Sequence, residues 1–201
     1  IDLGPLIVAC RALGGDVVHQ FDTAGARGYP QYADFPFEST VLFRSRHRDL
    51  RTEAEITEGD AGFVGLTSAL DAISIAAREK KVASEPSPYL AVLVADGDRM
   101  GAALSKLNSP DEHRQFSQEL AGFANKARQI VQDHHGVLVY AGGDDVLAFV
   151  PVDRCLDCAR KLHDSFGTAL ESWSEKTATK LTFSVGLAVG HFMEPLEDLL
   201  D

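Results

Sequence analysis

The chain has 201 residues, with 30 Asp and Glu against 19 Lys and Arg, which gives a formal net charge of −11. Hydrophobic residues make up 45% and charged residues 24%, an ordinary composition for a globular protein with enough chain for a sizeable core. The acidic balance argues against an independent nucleic-acid binder, because affinity for phosphates comes mainly from Lys and Arg. It is compatible with a carboxylate site for metal, or with a subunit held on RNA by other chains.

The sequence also indicates a cellular compartment. No apolar run approaches the ~18 residues of a membrane helix, and no secretory signal opens the chain. We therefore expect no membrane partner. Three cysteines are too few for a disulfide framework, so we also expect a reducing, cytoplasmic environment. The first residue is Ile1 rather than Met, which indicates a piece of a longer polypeptide.

The segment S-E-P-S-P at 84–88 breaks any regular element and divides the sequence. We expect an N-terminal segment over 1–88, mixed and partly irregular, and a more regular domain over 89–201 that is truncated at its C-terminus. In the first part, the pattern predicts a short helix at Leu3–Leu13, a loop at Asp22–Pro36 and an amphipathic helix over about 61–81.

Four arginines form the one basic cluster of the chain, Arg44, Arg46, Arg48 and Arg51. One interpretation is a solvated surface strand or loop, partly paired with Glu53 and Glu55. The other is a patch that contacts phosphate or RNA. The sequence leaves both open.

From Tyr89 onward, strands and helices follow one another with short connections. The apolar run Tyr89–Ala95 predicts a central strand, and Asp96–Gly101 predicts the loop after it. Ser109, followed by Pro110 and Glu112, is typical of a helix N-terminus with a capping box. The remaining predicted elements are a strand at Val137–Ala141, a tight turn at Gly142–Asp145, a strand at Val146–Val150, a helix from Asp153 to about Ser172 and a strand at Leu181–Gly190.

Cys155 and Cys158 form the only C-x-x-C pair in the sequence. They recur at helical spacing with Leu162 and Phe166, so we interpret them as buried core residues rather than zinc ligands.

A βαββαβ order predicts an α+β fold, the ferredoxin-like palm, in which an antiparallel sheet carries both helices on one face. In that topology the first strand lies between the third and the fourth and ends at the edge where the hairpin turns. Asp96, at the exit of the first strand, is therefore expected close to Asp144 and Asp145 at the hairpin.

Convergent carboxylates repel one another unless a cation neutralises them, and oxygen ligands favour Mg²⁺ or Mn²⁺. This pattern indicates phosphoryl or nucleotidyl transfer, with two ions ~4 Å apart that clamp the attacking and leaving oxygens. The glycines agree with it: Gly142 and Gly143 permit positive φ in a hairpin turn, and Gly97 and Gly101 let the backbone approach a phosphate closely.

Two segments carry a resemblance to a known family, A-D-G-D-R-M-G at 95–101 and G-V-L-V-Y-A-G-G-D-D-V-L-A-F at 136–149. Together they resemble the second palm, a cyclase-like polymerase domain, of the large subunit of type III CRISPR effector complexes, more narrowly the Cmr type (III-B). The resemblance covers roughly residues 89–197 and extends to H-F-M-E-P-L at 191–196.

The resemblance implies that the palm converts ATP into cyclic oligoadenylate second messengers, with release of pyrophosphate, when target RNA is bound. In that role Asp96, Asp144 and Asp145 would hold the two ions with help from the Gly97 carbonyl. Asp98, Gly142 and Gly143 belong to the same motifs and would bind the nucleotide, although Asp98 could instead cap the next helix or interact with Arg99. The implied partners are ATP, guide RNA, target RNA as activator, other effector subunits and a second palm facing the site.

The sequence also departs from the family. It shows no HD-type nuclease domain, no first palm and no zinc cysteines. The isolated piece is therefore expected to bind metal without making product unless it self-associates or a partner palm is supplied. One alternative is a diguanylate-cyclase-like enzyme that uses GTP, although Val146 follows Asp145 where that family has Phe. The other is a non-catalytic scaffold or regulatory palm.

Overall fold

The computed structural model describes residues 2–15, 17–20, 34–57, 59–81 and 86–200. The chain forms two units, Ile1–Ser87 and Pro88–Asp201, each with its own hydrophobic core. The predicted loop at Asp22–Pro36 lies mostly outside the described residues. Within the described ranges, no helix is long and apolar enough to cross a membrane.

The N-terminal unit is built mainly on two helices that pack together, and both were predicted. Gly14, with φ of 85°, ends the first, and Asp60 caps the second by accepting hydrogen bonds from the backbone N–H groups of Gly62 and Phe63. Its elements are α1 (Gly4–Leu13), 3₁₀ turns at Ser39–Leu42 and Arg44–Arg46, α2 (His47–Glu53) and α3 (Ala61–Glu79).

The arginine cluster is helical, so its interpretation as a strand or loop was wrong. It begins in the second 3₁₀ turn and continues through α2. Arg44 pairs with Asp71 at 2.6 Å and Arg46 with Asp49 at 2.5 Å. Because two of the four charges are offset by these nearby acids, the net basic character of the cluster is reduced.

The second unit follows the predicted order of strand, helix, hairpin, helix and strand. Its elements are β1 (Tyr89–Asp98), α4 (Met100–Leu104), α5 (Pro110–Asp133), β2 (Val137–Gly142), β3 (Asp145–Pro151), α6 (Cys155–Ala169), α7 (Glu171–Thr177), β4 (Thr182–His191) and α8 (Leu196–Leu200).

Two boundaries in this unit differ from the prediction. β1 runs through Asp98, so the first half of the predicted loop at Asp96–Gly101 is strand, because β4 continues to pair with it as far as Thr182. The second long helix breaks at Leu170 into α6 and α7 rather than running on to Ser172.

The sheet order is β2-β3-β1-β4, and β1 is antiparallel to both of its neighbours. The α+β ferredoxin-like palm predicted from the element order is therefore confirmed. β1 occupies a central position, and the β2–β3 hairpin turns at the edge where β1 ends. This topology determines which side chains meet at that edge.

Helices α5 and α6 cover one face of the sheet and form the core with it. Three rings make its centre: Phe166 stacks on Phe183 at 4.6 Å between centroids, and Phe123 meets both edge-on at 5.1 and 5.2 Å. Cys155 and Cys158 are buried in the same core, as predicted. Burial also raises the pKa of the Cys158 thiol to about 11.

The N-terminus of α5 has the capping arrangement that the sequence predicted. The Ser109 hydroxyl accepts a hydrogen bond from the Glu112 backbone N–H at 3.3 Å, and the Glu112 carboxylate accepts one from the Asn108 N–H at 2.6 Å. Reciprocal caps of this kind satisfy N–H groups that have no partner inside the helix. They fix where the chain enters the helix that supports the sheet.

Candidate functional site

Alternation along β1 separates core residues from those on the opposite face, which we call the outer face. Leu93 and Ala95 are buried against the helices, whereas Asp96 is exposed on the outer face and Val94 is 43% exposed there. At the end of the outer face that is farther from the hairpin, α8 contacts β1 and β4. The half of the outer face that is near the hairpin therefore presents its side chains outward.

One residue from each strand forms a row across this face, which we call the acidic row. Gly142 pairs with Asp145, and Asp96 pairs with Ser184. The β1–β3 register runs from Leu90 opposite Pro151 to Ala95 opposite Val146, so the next position places Asp96 directly opposite Asp145. The acidic row is thus Gly142, Asp145, Asp96 and Ser184, in sheet order.

The Asp96 carboxyl group, as a hydrogen-bonding neighbour, is the largest cause that raises the pKa of Asp145; partial desolvation and the negative charges of Asp144 and Asp96 raise it further. Two carboxylates directly opposite on one sheet face are destabilising, and a proton or a cation relieves the repulsion. The donor set, oxygen atoms alone, suits a hard divalent ion that completes its shell with water and phosphate oxygens.

This repulsion predicts a pH effect in the absence of divalent cations. The raised pKa means that the folded state keeps a proton on Asp145 to a higher pH than the unfolded chain, so stability falls as the pH rises above the ordinary Asp range. Asp145→Asn should raise the melting temperature at pH 7–8 by about 2 °C, from up to ~1 kcal/mol of relieved repulsion. The difference should vanish below the ordinary pKa of Asp, and a melting series from pH 3 to 8 in chelator measures it.

Glu119→Gln is the matched control for this series, because it removes one negative charge from an exposed position on α5. Glu119→Gln should not raise the melting temperature at pH 7–8, and Mn²⁺ should stabilise it as much as it stabilises the wild type. Mn²⁺ should no longer stabilise Asp145→Asn. A wild-type protein more stable than Asp145→Asn across the whole range would contradict the assignment.

Asp144 lies beside the carboxyl pair rather than in it. Gly143 and Asp144 form the two-residue turn, and Gly143 has φ of 66°, as the first position of a type II′ turn requires. A side chain at Gly97, directed toward the helices, would come within 2.8 Å of the Asp144 Cβ. Among the described residues, no three His, Cys, Asp or Glu side chains form a ready metal-binding group. Two carboxylates meet, and Asp144 adds negative charge at the turn.

The four glycines of these motifs differ in backbone angle and surroundings, and the predicted positive φ is confirmed at one of them. Of the two hairpin glycines, only Gly143 has positive φ; Gly142 makes space for the Tyr140 side chain. Gly97 pairs with Phe183 in the sheet, and a Cβ there would lie 2.9 Å from the Phe166 ring. Gly101 is on α4, with nothing within 4 Å of the position of its Cβ.

Asp98 is engaged with β4 rather than capping α4, which corrects one of the predicted roles. The Thr182 hydroxyl donates to its Oδ2 at 2.7 Å, and the Ser184 hydroxyl lies 2.9 and 3.0 Å from its two oxygens. These hydrogen bonds, first that from Thr182 and then that from Ser184, lower the pKa of Asp98, and the charge of Arg99 lowers it further. α4 begins after Arg99 without a side-chain cap. Sequence reasoning missed Thr182 and Ser184, although their alternation with Phe183 places both on the outer face.

The lowered pKa gives Asp98→Asn an effect of opposite sign to that of Asp145→Asn. The charged form of Asp98 contributes stability above the pKa of the unfolded chain, and this contribution is lost as pH falls through the folded value. Asp98→Asn should therefore melt below the wild type at pH 7, and the gap should close in acid. Glu119→Gln, at an exposed site in the middle of α5, provides the control; a gap that persists unchanged at low pH would contradict the role of the charge.

The match to a known protein family falls on the second of the two units of the chain. Residues 89–201 match the family model of the Cas10/Cmr2 second palm domain, which covers more than half of the chain. The protein belongs to this family. The CRISPR system Cmr subunit Cmr2 of Pyrococcus furiosus is 35% identical over 147 residues, which are 60% of this chain and 16% of that protein. The chain therefore spans only a minor part of the length of this relative.

Solved structures with partial similarity include Csm1 of T. onnurineus, with 26% identity and a TM-score of 0.43 over 56% of this chain and 18% of that one. The adenylyl cyclase CyaB of P. aeruginosa has 16% identity and a TM-score of 0.42 over 51% of this chain and 56% of that one. The guanylyl cyclase Cya2 has 15% identity and a TM-score of 0.40 over 51% of this chain and 54% of that one.

Proposed function

We propose that this palm is a metal-dependent nucleotidyltransferase of a type III CRISPR effector, which joins ATP into cyclic oligoadenylates when target RNA is bound. The observation that carries the proposal is the direct opposition of Asp96 and Asp145 on the outer face, beside the turn that holds Asp144. Like charges in this arrangement are unfavourable without a cation, so a fold that keeps them together favours an ion-binding function. Membership of the Cas10/Cmr2 palm family supports the same function.

The residues of the acidic row would hold the reacting groups in place. Divalent ions bound there supply the positive charge that activates a hydroxyl and offsets the charge of a triphosphate. Asp96 and Asp145 would hold them, with Asp144 and the Gly97 carbonyl adding oxygen atoms from the turn and the strand end. The ribose 3′-hydroxyl of one ATP would lose its proton to solvent, and its oxygen would form a bond to the α-phosphorus of a second ATP. The bond from that phosphorus to the oxygen that bridges to the β-phosphate would break, and pyrophosphate would leave.

Further parts of a larger protein would complete this function. The curated relative is much longer than the present chain, so the proposal assigns the second palm, the RNA contacts and the activation step to the rest of the subunit and to other subunits. The acidic net charge of −11 agrees with this division, because binding of an RNA backbone relies on Lys and Arg. In this scheme target RNA acts as the activator, and guide RNA is a partner within the complex.

Incubation of the assembled complex with ATP or with GTP, in Mg²⁺ or Mn²⁺, tests the proposal. Cyclic oligoadenylate that forms from ATP only when target RNA is present supports it. Cyclic dinucleotide from GTP alone would indicate the diguanylate-cyclase activity instead. Binding of metal and ATP without any product in the complete assembly would indicate a regulatory palm.

A further inference from the structure

A β-bulge in β2 directs Tyr140 to the outer face. The β2–β3 register shifts between Leu138 and Tyr140, so that Leu138 faces the core while Tyr140 pairs with Leu147. Strict alternation would have placed Leu138 and Tyr140 on the same side. Bulges of this kind re-aim side chains and are common next to active sites. The Tyr140 side chain is 53% exposed.

The Tyr140 hydroxyl occupies the space that a side chain at position 142 would fill. A Cβ built on Gly142 would lie 1.9 Å from the hydroxyl oxygen and 2.3 Å from the ring carbon that carries it. Gly142 is the member of the acidic row directly opposite Asp145. Opposing Cβ positions in such a pair are about 5 Å apart, so the hydroxyl lies beside the Asp145 side chain on the same face.

The Tyr140 hydroxyl donates no hydrogen bond within the part of the chain that the structure describes. Because the hydroxyl lies at the edge of the carboxyl pair, it is within reach of the phosphate oxygens of a molecule that divalent ions hold there. The carboxylates themselves repel phosphate. A neutral hydroxyl at the edge of the pair can donate a hydrogen bond to a phosphate oxygen, which the ionised acids cannot do.

We propose that Tyr140 is a substrate-binding residue whose hydroxyl donates a hydrogen bond to the triphosphate of the nucleotide held at Asp96 and Asp145. This inference rests on the proposed function, because it needs a nucleotide at the acidic row. It adds a contact that none of the carboxylates can make, since ionised carboxylates only accept hydrogen bonds. The bulge and the absence of a side chain at Gly142 are the two features that place the hydroxyl there.

The test compares wild type with Tyr140→Phe in the full-length subunit assembled with its partners. Binding of ATP and of inorganic triphosphate is measured in Mn²⁺, together with Mn²⁺ affinity and melting temperature. We expect Tyr140→Phe to weaken both ligands about fivefold, the effect of one neutral hydrogen bond, and to leave Mn²⁺ affinity and melting temperature unchanged. Tyr89→Phe, an exposed tyrosine at the opposite end of β1, should bind as the wild type does.

Three outcomes would overturn the inference. If Tyr140→Phe bound both ligands as tightly as the wild type, the hydroxyl would not contact the triphosphate, and the proposed function would remain intact. If Tyr140→Phe bound ATP more weakly but inorganic triphosphate equally well, the hydroxyl would contact the nucleoside instead. Failure of the wild type to bind ATP in Mn²⁺ rejects the nucleotide site itself and, with it, the role of Tyr140.

Gly142→Ala gives a second, independent variant. Its methyl group would collide with the hydroxyl, so it should displace the ring and weaken triphosphate binding as Tyr140→Phe does. In a Tyr140→Ala background the collision is absent, and adding Gly142→Ala should weaken binding no further. Equal additional losses in both backgrounds would contradict the proposed placement of the hydroxyl.

Discussion

Asp96→Asn is expected to lower the formation of nucleotide product from ATP in the complete assembly by at least about 100-fold. Asp96 lies between Asp145 and Ser184 in the acidic row, so it is the central carboxylate of the candidate site. Its loss removes half of the carboxyl pair, and ion-assisted stabilisation of a transition state amounts to several kcal/mol, or tenfold for each 1.36 kcal/mol. Product formed per complex, separated by chromatography, gives the result.

Two measurements separate this effect from loss of structure. RNA binding by the complex should be unchanged, and Asp157→Asn, an exposed aspartate on α6, should retain full product formation. The double variant Asp144→Ala with Asp145→Ala should behave as Asp96→Asn does. Product at wild-type levels from either variant would show that the acidic row is not the catalytic site.

Gly97→Ala is expected to destabilise the palm by about 1–3 kcal/mol and to weaken its binding of divalent ions. An added Cβ would lie 2.8 Å from the Asp144 Cβ, 2.9 Å from the Phe166 ring and 3.1 Å from the Met100 side chain. Because Phe166 belongs to the stacked aromatic core, it cannot easily move, and overpacked sites of this kind lose stability in that range. Thermal melting should record a drop of roughly 2–4 °C for each kcal/mol.

Gly101→Ala is the matched control, four residues further on. Apart from its chain neighbours and the backbone of its own helix, no atom of the described residues lies within 4 Å of its Cβ position. Because alanine is also the better helix former, this variant should melt at or slightly above the wild-type temperature. Mn²⁺ titrations of the two variants should show weaker binding for Gly97→Ala alone. If Gly97→Ala melted like Gly101→Ala, the close approach of Asp144 and Phe166 to this strand would be wrong.

Hydrophobic periodicity predicted the palm because its strands and helices bury one face each, and burial leaves a regular spacing of apolar residues. Tyr89–Ala95 and the Phe116–Ile130 stripe of α5 are the clearest cases. The end of β1 was missed because Gly and Asp are poor strand formers, and pairing with β4 overrides that preference. The break at Leu170 carries no Gly or Pro, the residues that ordinarily mark such a break.

The site was only partly predictable for a related reason. Topology alone placed Asp96 beside the hairpin, since it determines which strand ends meet. The Asp98 contacts with Thr182 and Ser184 join residues 84 and 86 positions apart, and local patterns carry no information about such a pairing. Tyr140 was hidden by the bulge, because two-residue alternation places it with Leu138 in the core.

Diffraction from crystals of the assembled protein soaked with ATP and Mn²⁺ tests the central claim most directly, because the anomalous signal of manganese locates the ions without assumptions. We expect anomalous density between the carboxylates of Asp96 and Asp145, with the triphosphate beside it on the outer face. Manganese bound only at other positions, or an acidic row that stays protonated and empty at saturating Mn²⁺, would contradict the assignment of this palm as a metal-dependent nucleotidyltransferase.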